Sequence, residues 1–140
     1  MSVNCFVDSN VWLYAFMDES SPKHQQALTV IAQPGVMLST QVVNEVCNNL
    51  LRKAGYTEQE IRQTVENFRQ RYPIHSVTLN EIYQASVLRE SFSLSYWDSL
   101  VVASAIAADC RIIYSEDMQN GLGINGVRII NPFTQKGPVT

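Results

Sequence analysis

The stretch SYWDSLVVASAIAADCRIIYSED, residues 95–117, decides the fold. Ser95 and Asp98 stand at capping-box spacing, and the segment after them is apolar nearly all round. Such a helix is buried on several sides, against a sheet and a neighbouring helix or a second subunit. RIIYS (111–115) then reads as a buried strand that closes on Glu116 and Asp117. A buried helix feeding a strand that ends in acids belongs to a helix-on-sheet layer, where ligands gather at the carboxyl ends of the strands.

The same alternation runs upstream. VNCFVD (3–8) is a first strand ending on an acid, followed by one or two turns of helix over 10–16. Ser20, Ser21 and Pro22 start a helix with Ala27, Leu28 and Ile31 on one face, stopped by Pro34 and Gly35. GVMLST (35–40) is a second strand, and Val42, Val43, Val46, Leu50, Leu51 and Ala54 form the apolar face of the helix after it. Thr57 with Glu60 predicts a capped helix carrying Ile61, Val65 and Phe68; Thr78 with Glu81 predicts another carrying Ile82, Ala85 and Leu88. PIHSV (73–77) is the third strand, and VRII (127–130) follows RIIYS as the fifth. The expected architecture is α/β: one domain over residues 1–134, a central, mostly parallel five-stranded sheet with helices on both faces, and a polar tail at 135–140.

With 140 residues the chain has the length of one domain. Charged residues make up 16%, below the usual ~25%, and no apolar run approaches the ~18 residues of a membrane span. The N-terminus has no basic segment and no small-residue cleavage site, so a cytoplasmic protein is expected. Cys5, Cys47 and Cys110 are far apart and odd in number, which suits buried thiols rather than zinc or redox pairs. The net charge of −3 argues at first against a nucleic-acid binder. Its distribution points the other way, because Arg52, Lys53, Arg62, Arg69 and Arg71 outnumber the three acids Glu58, Glu60 and Glu66 within residues 52–71.

Four acids sit where chemistry is expected. Asp8 and Asp117 end strands, while Glu45 and Asp98 lie near the starts of helices that open onto the same sheet edge. Each has an ordinary alternative: a helix cap for Asp8, a capping partner for Asp98, a solvated acid for Glu45, a turn residue for Asp117. Their convergence outweighs these readings. Crowded carboxylates repel and are pushed toward protonation unless a cation joins them, and an all-oxygen set suits Mg²⁺ or Mn²⁺. A carboxylate-held cation that polarises water for in-line attack on a phosphodiester makes hydrolysis of nucleic acid the expected reaction.

FVDSNVWLYAF, the Asn44–Glu45 pair of STQVVNEVCNNLLRKAG, SYWDSLVVASAIAADCRIIYSEDMQNG and the closing VRIINPF together resemble the PIN domain family over nearly the whole chain. Within it they are most similar to the small single-domain proteins that include the VapC-type toxins. The resemblance implies a metal-dependent endoribonuclease whose acidic quartet is Asp8, Glu45, Asp98 and Asp117, with Asn10 and Ser115 as supporting polar residues. Asp8 would be the central ligand of Mg²⁺ or Mn²⁺, with Asp98 and Asp117 beside it and Glu45 holding a second ion or a water. Products with 5′-phosphate and 3′-hydroxyl ends are implied, as are an antitoxin partner and a homodimer. RNA would arrive over the basic arm of Arg52, Lys53, Arg62 and Arg69. Glu116 falls outside the ligand positions.

Competing readings are weaker. GLGING (121–126) has the letters of a dinucleotide-binding loop but precedes a strand and has no acid after it, so it reads as a loop turning at Asn125–Gly126. A phosphoacceptor domain would need an aspartate at the end of strand three, where PIHSV has none. His24 and His75 read as surface or packing residues, and Tyr96 and Trp97 as core aromatics rather than a base-stacking pair. The remaining alternative is a catalytically silent PIN-like module that binds RNA or protein.

Overall fold

Asp8, the acid closing the first apolar run, ends one element and starts the next, and this economy recurs along the chain. The computed structural model describes residues 3–134; the tail expected at 135–140 lies outside the described residues. In order, the elements are β1 (Cys5–Val7), α1 (Ser9–Phe16), α2 (Pro22–Ile31), β2 (Val36–Ser39), α3 (Thr40–Lys53), α4 (Glu58–Arg71), β3 (Ile74–His75), α5 (Leu79–Ser91), α6 (Tyr96–Ala107), β4 (Ile112–Tyr114), β5 (Gly123–Ile124) and β6 (Val127–Ile130). Ser21 caps α2 with Pro22 at its first position, and Ser39 caps α3 by accepting from the Val42 amide at 3.3 Å. Both predicted capping boxes form in full, Thr57 with Glu60 and Thr78 with Glu81.

The sheet runs β3-β2-β1-β4-β6-β5, parallel throughout except for β5. Five strands were expected, and the described residues hold six. The extra one is Gly123–Ile124, which pairs antiparallel with β6 through Asn125 and Gly126. Both turn residues have positive φ, 47° and 89°, the requirement of a two-residue type I′ hairpin. Two residues of strand on the sheet edge leave too little alternation to be legible in sequence. Gly35 is needed for space as well as φ: a Cβ there would lie 2.4 Å from the Val3 carbonyl oxygen.

α1 packs on α2 and α3, and α3 on α4, while α5 and α6 pack on each other; the right-handed rule for parallel crossovers puts the first group on one face of the sheet and the second on the other. The chain lays β2 and β3 to one side of β1, then returns to lay β4 on the other. Strand order therefore reverses between β1 and β4, and a crevice opens at the carboxyl ends of that pair.

The core fills both faces. Phe6, Val7, Leu38, Ile113 and Ile129 come from the sheet, and Trp12, Val42, Leu50 and Phe68 from the helices. Trp12 meets the rings of Phe68 and Tyr72 edge-on at 5.0 and 4.9 Å and donates its indole N–H to the Val7 carbonyl at 3.0 Å. α6 is buried without interruption from Ser99 to Ala105, as its composition demands. Three apolar positions come out differently: Leu28, Ala54 and Ile82 lie at the surface, and Val30 takes the buried place on α2. Cys5 and Cys110 are buried and Cys47 half-buried, all as free thiols. No helix among the described residues is long and apolar enough to cross a membrane.

Candidate active site

Asp8 is the buried centre of the crevice, only 5% exposed. One carboxylate oxygen accepts from the Ser9 amide at 2.8 Å, so the residue does cap α1; the other accepts from the Ser115 hydroxyl, also at 2.8 Å. Ser115 follows β4 and is fully buried, which pins Asp8 across the β1–β4 reversal. Burial pushes the Asp8 carboxyl up to about 6, the charges of Glu45 and Asp98 add to the rise, and the Ser9 and Ser115 bonds offset part of it.

The other three acids reach the same place from other elements. Asp8, Glu45, Asp98 and Asp117 line a single open cavity of about 290 Å³ together with Gln41 and Asn49. Glu45 is half-buried on the first turns of α3, where Gln41 donates to its carboxylate at 3.2 Å. Asp98 lies in the first turn of α6. Ser95 caps that helix by accepting from the Asp98 amide at 3.1 Å, but the return bond that completes the boxes of α4 and α5 is not formed. Its carboxylate is thus left toward the cavity. Burial raises the Asp98 carboxyl, Asp117 raises it further, and the Ser95 hydroxyl opposes the rise. Asp117 is exposed at the rim and takes a short hydrogen bond from the Asn10 side-chain amide.

Every predicted member of the acidic set, and both supporting residues, therefore has a place at the crevice. Gln41 escaped sequence reading: it donates to Glu45 and, at 3.3 Å, to the backbone carbonyl of Trp97, tying the start of α3 to the start of α6. Its position one helical turn before Glu45, on the same face, was the available signal. Glu116 stays outside the cavity, clamped by the Lys23 ammonium and by the Tyr14 hydroxyl at 3.0 Å. Tyr96 and Trp97 are the correction. They are 48% and 60% exposed rather than core, because they open α6 at the rim of the cavity, ahead of its buried run from Ser99 to Ala105.

The basic arm is not brought to the cavity. Arg52 and Lys53 lie at the far end of α3, about 10 Å along the axis from Glu45, and Arg62 and Arg69 are exposed on α4. Arg69 pairs with Glu66 at 3.4 Å.

The donor set fits a hard divalent cation: four carboxylates, side-chain amides, no lysine or arginine in the lining, and a central carboxyl pushed toward protonation by burial and, to a lesser degree, by its acidic neighbours. Among the described residues, no three acidic, imidazole or thiol groups stand close enough to grip an ion.

No curated protein matches the sequence. Among solved structures, a toxin–antitoxin complex from Klebsiella pneumoniae superposes with a TM-score of 0.70 at 16% identity, covering 92% of this chain and 98% of that one. Mycobacterium tuberculosis VapC20, described as a sarcin–ricin loop cleaving toxin, gives 0.68 at 21% identity over 81% and 90%. DNA-bound VapBC from Salmonella typhimurium gives 0.66 at 13% over 91% and 97%. At these identities the likeness is one of fold. The sequence itself matches the PIN domain over residues 5–119, from β1 past the last acid of the cavity, and the chain belongs to the PIN domain family.

Proposed function

We propose that this chain is a metal-dependent endoribonuclease that hydrolyses RNA phosphodiester bonds, and that it is the toxin of a toxin–antitoxin pair. The observation that carries the reading is the convergence of four carboxylates, from four distant parts of the chain, on one open cavity at the strand-order reversal. The toxins among the solved structures of the same fold support it.

Asp8, Asp98 and Asp117 would hold Mg²⁺ or Mn²⁺, and Glu45 would hold a second ion or a water. When bound, the cation supplies charge neutralisation and Lewis-acid polarisation of the phosphate and the attacking water. The remaining work falls to the chain. Ser115 and the Ser9 amide fix the rotamer of Asp8, Asn10 does the same for Asp117, and Gln41 orients Glu45. Water adds to phosphorus as the P–O3′ bond breaks, and the leaving 3′-oxygen takes up a proton, giving 5′-phosphate and 3′-hydroxyl ends. Arg52, Lys53, Arg62 and Arg69 act on the flank of a substrate long enough to extend past the cavity, so Arg52→Glu with Lys53→Glu raises KM and leaves kcat unchanged. An antitoxin covers the cavity with a basic side chain, two subunits pair, and the compartment is the cytoplasm.

One observation favours the rival reading of a silent binding module: the carboxylates do not yet stand at ion-gripping distance. Incubating the protein with end-labelled structured and unstructured RNAs, with Mg²⁺ or Mn²⁺ and then chelator, separates the two. Cleavage that needs the cation and disappears in Asp8→Asn supports the nuclease. A folded protein that binds RNA and cuts none under any of these conditions is the silent module.

A further inference from the structure

Beside the carboxylate cavity lies a second one, of about 360 Å³, lined by Gln41, Asn44, Glu45, Asn48 and Trp97. The two share Gln41, Glu45 and Trp97 and form one continuous trough. Gln41, Asn44, Glu45 and Asn48 recur at spacings of three and four along α3, so a single helix face presents three amides and one acid.

This neighbour has a chemistry of its own. Among the described residues, Asn44 and Asn48 are exposed and their side chains make no hydrogen bond within the protein. Gln41 points its NH₂ at two acceptors, Glu45 and the Trp97 carbonyl, which fixes the orientation of the amide; its Oε1 is buried without a partner. Unsatisfied amides offer both donors and acceptors, the equipment for reading the edge of a nucleobase. They carry no charge to attract a phosphate.

Across the trough stands Trp97, 60% exposed and braced rather than loose. Its ring meets Tyr96 edge-on at 5.1 Å, and Tyr96 lies under the Arg89 guanidinium at 4.6 Å. Arg89 is itself held by the Ser99 hydroxyl at 2.7 Å. An aromatic held with a face open next to hydrogen-bonding amides is a stacking platform for an unpaired base.

We propose that this second cavity is a nucleobase subsite. One unpaired base of the RNA stacks on Trp97, the open amides of Asn44 and Asn48 select it, and its phosphodiester is thereby delivered to the carboxylates beyond Glu45. The inference rests on the ribonuclease reading for its substrate class, and it adds that the nucleotide bound next to the cut is single-stranded and chosen by base.

Fluorescence tests it, because Trp12 is buried and Trp97 alone of the two tryptophans is open to a quencher. Homopolymeric oligoribonucleotides of the four bases, and a duplex of two complementary ones, are titrated into the uncleaving Asp8→Asn chain with Mg²⁺. The expected result is saturable quenching by unpaired oligomers, unequal among the four bases and absent for the duplex. Anisotropy of dye-labelled oligomers, which needs no tryptophan, reads the variants: Trp97→Ala weakens binding by about 5- to 150-fold while Trp97→Phe keeps most of it. Asn44→Ala with Asn48→Ala evens out the four affinities. Quenching by the duplex as strong as by single strands, no saturable quenching by any oligomer, or unchanged affinity in Trp97→Ala each overturns the subsite. Cation-dependent cleavage unaffected by Trp97→Ala removes the subsite and leaves the nuclease. Base-selective binding through Trp97 without cleavage by the unmutated chain does the reverse.

Discussion

Two carboxylates of this protein are closed off from solvent and behave in opposite ways. Glu81, 4% exposed at the start of α5, loses solvation but takes bonds from the Thr78 amide and hydroxyl, Asn80 and His75, which together outweigh burial and hold its carboxyl at about 2. Asp8, 5% exposed, has two hydrogen bonds and two like-charged neighbours, and sits at about 6. Both lose solvent contact, Asp8 lies deeper in the protein, and the partners differ. Glu81 is supplied with donors by its own helix start, so its charge stabilises the fold. Asp8 is left short of positive charge in a site open to solvent, the condition of a group whose partner comes from outside the chain.

The contrast is broken most decisively by cleavage. Asp8→Asn is expected to lower the rate by more than the roughly 100-fold that loss of an outer-shell partner costs, Ser115→Ala by roughly 10- to 100-fold, and Glu81→Gln by nothing measurable once the protein is folded. Single-turnover assays on labelled RNA give all three. A cut-competent Asp8→Asn would erase the distinction.

Cation binding comes next. At a concentration about 100 times its dissociation constant, Mn²⁺ is expected to stabilise the unmutated chain by about 2.7 kcal/mol against denaturant and to leave an Asp8→Asn, Asp98→Asn chain unchanged. Calorimetric melting with and without chelator reads this directly.

Smaller effects sharpen the comparison through stability. Glu81→Ala removes the return half of a capping box and a partner of His75, and is expected to cost about 1–2 kcal/mol. Asp8→Asn preserves the cap and relieves repulsion, so without cation it leaves stability equal or higher at neutral pH. The pH dependence has opposite signs. Glu81 has a folded value below its ordinary 4.5, so its contribution is complete above that pH and is lost as pH falls toward 2. Asp8 has a folded value above its ordinary 3.8, so the stability it lends is present below that pH and declines as pH rises through about 6. Urea midpoints of the unmutated chain, Glu81→Gln and Asp8→Asn across pH 2–7 are expected to show both slopes, each abolished in its own variant. Least affected is Lys23→Met, which unties Glu116 at a partly exposed pair and is expected to leave the urea midpoint and cleavage essentially unchanged.

The order of the elements other than β5, both full capping boxes, the Asn125–Gly126 turn, the buried run of α6 and the positions of all four acids were legible in the sequence. Each is written in neighbours three or four residues apart, or in an apolar run with a polar end, and such local signals do not depend on where the rest of the chain goes. Tertiary structure alone decided that Trp12 is core and Trp97 surface, that Gln41 ties α3 to α6, that Glu116 belongs to Lys23, and that the basic arm stands away from the cavity. Those outcomes turn on sheet order and on which helix ends overhang the carboxyl edge. They are set by contacts between residues tens of positions apart, which a local pattern does not contain.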